Sequence, residues 1–194
     1  MVKSRHQNWI RKIDGKHRIF RQLGKKYEVM EYTRYDYTPM LTDKVSKMIR
    51  ENLTDELISS KFRKKYPADH NRWKYPYFGL CVPSTFVLLY LMDTNVLEPM
   101  RGTDAIGGTH FWLIDILTEE KYDLTLDQFP TYGELEDVYA TGKPTGYYGK
   151  DRGGRNSEMP TSRFFDLIQK VQPSAKRWTT DDYNEMPDRL DEFF

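Results

Sequence analysis

The sequence predicts an α+β fold in which one apolar helix packs on a small antiparallel sheet. Three observations point there. Val45, Met48, Ile49 and Leu53 recur at helical spacing, an apolar stretch runs from Leu80 to Met92, and two strand-like runs follow the helices instead of alternating with them. A length of 194 residues suits one domain with a real core. The 14 Tyr, 10 Phe and 4 Trp argue against a disordered chain, which would be poor in large apolar side chains.

Residues 27–38 read as an aromatic, strand-like segment, and a helix follows from Thr42. Thr54 is placed to cap a short helix with Leu57, Ile58 and Phe62 inward, closed by Pro67. A polar, aromatic loop (His70, Trp73, Tyr75, Tyr77) leads to Gly79. The apolar helix then spans about Val82 to Met92, with Pro83 in its first turn, where a missing N–H costs least. After Gly107-Gly108, residues 110–116 read as a buried strand and 121–125 as its hairpin mate. Residues 130–160, rich in Gly, Pro and Tyr, read as irregular surface chain. Thr161 opens a last amphipathic helix carrying Phe164, Ile168 and Val171.

Lys and Arg number 30 against 29 Asp and Glu, so bulk charge selects no partner. Locally the balance breaks: residues 1–26 carry nine basic side chains and one acid, Asp14, and residues 177–194 carry six acids. The expected organisation is a basic segment, 1–40, packing on a central domain, 41–175, with an acidic tail, 176–194. A lone cysteine excludes a disulfide framework and any multi-cysteine zinc site, and no metal or cofactor is expected. No signal-like apolar run follows the start, and Leu80 to Met92 is too short to span a bilayer, so a cytoplasmic protein is expected.

The chemistry centres on Cys81, which stands where the apolar helix begins. Free N–H groups and the positive end of a helix stabilise a thiolate, and a thiolate nucleophile needs a base held in one tautomer. His110 opens the first strand behind two glycines. Asp123 lies one hairpin away, where matching faces of paired strands meet. Trp112 falls on the same strand face as His110 and is placed to shield its hydrogen bond from water. In Asp127-Gln128-Phe129, Phe129 reads as core, Asp127 as a turn cap before Pro130, and Gln128 as a brace of the active-site loop.

Gly79-Leu80-Cys81-Val82-Pro83-Ser84, Thr109-His110-Phe111-Trp112 and Asp123-Leu124-Thr125-Leu126-Asp127-Gln128-Phe129 resemble the motifs of a family of small, mostly phage-encoded and bacterial proteins. The order Cys, His-x-Trp, Asp-x-Thr is similar to the transglutaminase-like branch of the papain-like fold. The resemblance covers about Leu53 to Val171. It implies a cysteine peptidase or amidase with Cys81 as nucleophile, His110 as base then acid, and Asp123 orienting His110. It implies a protein or peptide substrate and, by analogy with phage-borne relatives, a host protein such as a defence component. The oxyanion hole would take the Cys81 N–H as first donor. The usual Gln six residues before the cysteine is Tyr75 here, which leaves Asn71, Tyr75 and Tyr77 as candidates for the second donor. Transfer to an amine, as in transglutaminases, is the alternative outcome. A non-catalytic module binding nucleic acid or an acidic partner through the basic segment is the alternative from another class, though nucleic acid is not the expected partner.

Overall fold

The structure, a computed structural model, describes residues 10–13, 15–23, 26–145 and 161–180. It is α+β, with two four-stranded antiparallel sheets, a two-stranded parallel ladder and five helices among the described residues.

At the centre lies α3 (Cys81–Leu91), in which every residue except Val82 is buried. Its surface is apolar all round, which suits a helix covered on all sides. One cover is α1 (Pro39–Glu51), whose start is fixed by Thr38: its hydroxyl accepts from the Leu41 amide at 3.1 Å, and Pro39 stands at the first helical position. Val45 and Ile49 of α1 face inward and are fully buried. Another cover is α5 (Ser162–Val171), which places Phe164 against Phe86 and Tyr90 at ring-centroid distances of 6.2 and 5.9 Å. The sheet β8-β7-β6-β9 covers the remaining side through Phe111, 5.9 Å from Phe86. It is built from β6 (Leu97–Thr103), β7 (Thr109–Asp115), β8 (Lys121–Tyr122) and β9 (Lys143–Pro144). Thr85 of α3 donates to the Phe111 carbonyl at 3.0 Å, tying helix to sheet.

Strands also precede the helices, not only within the strand-like segment read over 27–38 but also before it. β1 (Ile10–Ile13), β2 (Lys16–Leu23) and β3 (Lys26–Tyr32) form an antiparallel meander, and β10 (Lys176–Thr180) pairs with β3. The segment before residue 40 and the start of the one after 175 therefore share one sheet. β3 lies in the segment read as strand-like, whereas β2 escapes pattern reading because Ile19 and Phe20, adjacent in it, are both buried, so it lacks the alternation of a half-exposed sheet. Its basic residues meet acids within the same sheet. Arg18 and Lys16 pair with Glu31, while Arg21 and Arg177 pair with Glu28.

Three other expectations change. The helix expected after Thr54 divides into a 3-10 turn at Asp55–Leu57 and α2 (Ser60–Lys65), whose cap is Ser59, accepting from the Phe62 amide. The strand expected over 121–125 ends at Tyr122. Within 130–160, read as irregular, the chain forms α4 (Tyr132–Ala140). Thr131 caps it through the Glu134 amide, and Leu135 and Val138 bury one face against Trp112. Residues 146–160 lie outside the described part. The small ladder pairs β4 (Tyr35–Asp36) with β5 (Met92–Asp93).

The turn into α3 depends on Gly79. Its φ is +85°, and an added Cβ would stand 2.6 Å from the Phe62 ring. Gly79→Ala is expected to cost about 1–3 kcal/mol from the backbone conformation and the clash together. A urea midpoint unchanged from the parent protein would show that Phe62 and the turn yield freely.

Candidate active site

Two positive-φ residues, Tyr77 at 63° and Gly79, swing the chain so that Cys81 becomes the first residue of α3. Beneath this turn lies a packed set of rings. Phe62, Trp73 and Phe78 contact one another at centroid distances of 5.0 to 6.1 Å, and His70 stacks on Phe78 at 5.8 Å with 4° between planes. The aromatic loop before Cys81 is thus largely a local core that holds the helix start in place. Cys81 is 5% exposed, and its thiol donates to the Thr109 carbonyl at 3.8 Å, at the foot of β7.

His110, the next residue of β7, brings its Nε2 to 2.6 Å from Asp123 Oδ2, with both side chains at most 2% exposed. A carboxylate only accepts, so Nε2 carries the proton and donates, leaving Nδ1 of the neutral ring as an acceptor. Burial by itself pushes the imidazole down. The hydrogen bonds to Asp123 and to the Cys81 sulfur, and the charges of both, outweigh it, and His110 is pushed up to about 9. Cys81, His110 and Asp123 therefore come together as the sequence predicts. The geometry differs in one respect: Asp123 lies just past β8 and reaches His110 from a loop instead of a paired strand.

Asp123 is held by more than its histidine. Oδ1 accepts from the Thr125 amide at 3.0 Å and from the Thr125 hydroxyl at 3.3 Å, and Oδ2 also accepts from the Tyr139 hydroxyl at 3.0 Å. Desolvation and the Asp123 carboxylate hold the Tyr139 phenol well above its ordinary range, so it remains a donor. Trp112 stacks on His110 at 5.8 Å with 22° between planes, and Phe129 meets the ring edge-on at 4.8 Å. Both are buried and cover the imidazole, Trp112 on the strand face expected for it.

Gln128 points its Nε2 at the His110 ring, 3.1 Å from Nδ1. Asn71, Tyr75 and Tyr77 do not join this group. Asn71 is exposed, Tyr75 packs beneath the Lys74 ammonium, and Tyr77 lies under the Arg50 guanidinium at 5.1 Å. Asp127 is not a turn cap; its carboxylate pairs with Arg50 at 2.5 Å, tying the loop after β8 to α1.

Two residues that sequence reasoning passed over belong to the site. Tyr139 lies in α4, and the Gly- and Tyr-rich composition around that helix gave no sign of it. Arg163, in the first turn of α5, donates through Nη1 to the Leu57 carbonyl at 3.0 Å. Burial pulls its guanidinium down, opposed by the charge of the Cys81 sulfur. Its signal in the sequence was only its place after the helix-opening Thr161.

No protein-family model, curated protein or solved structure matches this chain. Among the described residues no helix is long and apolar enough to cross a membrane, and no three His, Cys, Asp or Glu side chains gather in a metal-holding group.

Proposed function

We propose that the protein is a thiol hydrolase of papain-like arrangement, a cysteine peptidase or amidase in which Cys81, His110 and Asp123 act as the triad. The observation that carries this reading is the buried 2.6 Å contact between His110 and Asp123, with the Cys81 thiol against the carbonyl of Thr109, the residue before His110. In the acylation step His110 Nδ1 takes the thiol proton, the sulfur forms a bond to the substrate carbonyl carbon, and the C–N bond breaks as the proton passes to the leaving amine. Water then adds to the thioester with His110 again as base, releasing the acid and restoring the thiol. The Cys81 N–H, at the free end of α3, faces the developing oxyanion.

The basic residues of β2 support this reading over a nucleic-acid module, because Arg18 and Arg21 are already paired with Glu31 and Glu28. A host protein remains the proposed class of substrate, through the resemblance of the motifs to phage-encoded proteins.

Alkylation of Cys81 by iodoacetamide, followed across pH, tests the triad without a known substrate. The reaction is expected to slow and its pH profile to change in His110→Ala. Identical profiles in the two proteins would remove His110 as a partner of the thiol, and with it the enzyme reading. Among candidate proteins, cleavage is expected with the parent chain and not with Cys81→Ala; Cys81-dependent attachment of a primary amine would instead indicate acyl transfer.

A further inference from the structure

His110 Nδ1 faces the Gln128 amide, and in the proposed reaction it is also the atom that takes the Cys81 proton. The orientation of that amide is settled by its surroundings. Gln128 Nε2 lies 2.9 Å from both the carbonyl and the hydroxyl oxygen of Thr125, so one of its two hydrogens goes to the carbonyl and the other is shared between the hydroxyl and the ring, and Gln128 is 6% exposed. Turning the amide over would set its oxygen against the Thr125 carbonyl oxygen, two acceptors in contact with no proton between them. The group facing the imidazole at 3.1 Å is therefore an N–H donor, and only a neutral ring, with a lone pair on Nδ1, can receive it.

We infer that Gln128 is a positioning residue that sets the charge balance of His110: its amide, fixed by Thr125, stabilises the neutral imidazole against the imidazolium that Asp123 and Cys81 favour. The charged groups around the ring are few. Asp123 faces it from the loop after β8, with Tyr139 of α4 behind the carboxylate. Cys81 of α3 bears on it electrostatically, and Arg163 of α5 in turn feels the charge of the sulfur. Asp123 pulls the proton onto the ring, and a base that keeps its proton cannot take one from a thiol. Gln128 supplies the opposing pull. Its value to catalysis rests on the thiol-enzyme reading, but its effect on His110 does not.

The test is an NMR titration of His110 in the full chain, which has four histidines, with the signal assigned by its loss in His110→Ala. Gln128→Met keeps the length of the side chain and removes the donor, while the Thr125 carbonyl keeps its bond from the Gln128 backbone amide at 3.0 Å. The His110 midpoint is expected to rise by about one pH unit, the worth of one hydrogen bond. A side chain that merely braces the loop predicts the reverse, because loosening Asp123 lets the midpoint fall. An unchanged or lowered midpoint overturns the inference.

A second measurement needs no variant. Above its midpoint, His110 of the parent protein is expected to carry its proton on Nε2, with the nitrogen-15 shift of Nδ1 showing a bonded acceptor; a proton on Nδ1 overturns the inference as well. If instead the thiol reaction ignores His110 while both shifts appear as expected, the enzyme reading fails and the Gln128 effect stands.

Discussion

Asp123→Asn is expected to lower turnover of a cleavable substrate by about 10⁴-fold, with Cys81 still in place. All four contacts to this side chain come from donors: His110 Nε2, the Tyr139 hydroxyl, and the Thr125 amide and hydroxyl. An asparagine must turn its NH2 group toward one of them. Turned toward His110, it forces the ring proton onto Nδ1, where the thiol and the Gln128 amide wait as donors, and the base is lost. Removing one partner of a buried pair also costs about 3–5 kcal/mol of stability.

The pH dependence of stability carries the same signature. His110 titrates higher in the folded protein, about 9, than the 6.5 of a free imidazole. Its contribution is therefore full below about pH 6.5 and is lost as pH rises through 9, a decline of about 3 kcal/mol in total. Urea unfolding at pH 6 and pH 9.5 should show this slope in the parent protein and little of it in Asp123→Asn. Equal slopes would mean that Asp123 does not hold the imidazole's proton.

The second large effect lies away from the chemistry. Phe164→Ala is expected to destabilise the protein by about 3–5 kcal/mol, because the ring is fully buried against Phe86 and Tyr90. The loss would be read as a lower urea midpoint with an unchanged slope. A change under about 1 kcal/mol would mean that α5 does not seal α3, the helix whose first residue is Cys81. Variants of Phe164 should therefore lose thiol reactivity on warming earlier than the parent, in step with unfolding.

Cys81, His110 and Asp123 were legible in the sequence because each residue type is scarce in its setting: the lone cysteine at a helix start, the histidine behind two glycines, the aspartate a hairpin later. α1, α3 and α5 were legible because a one-sided or unbroken apolar pattern marks a helix wherever it packs. Tyr139 was not legible, since nothing local distinguishes a phenol aimed at a carboxylate from one facing solvent. α4 was hidden by its neighbours: Pro130, Gly133 and Gly142 suggest loop, yet Gly142 is there because a Cβ would stand 2.8 Å from the Trp112 ring. The oxyanion candidates Asn71, Tyr75 and Tyr77 were chosen by spacing from Cys81, and the positive φ at Tyr77 redirects the chain between them and the thiol.

The pairing of β3 with β10 bears on the order in which the protein can assemble during synthesis. β3 is finished early, but Lys176, the partner of Glu31, leaves the ribosome after all the helices described here. Until then β3 presents a bare strand edge bearing buried-type residues such as Val29 and Met30, the kind of edge that recruits other chains. Late sheet closure over so long a separation is also slow. Nascent chains stalled before residue 176 should therefore aggregate or engage chaperones, with the free edge of β3 still uncovered by β10.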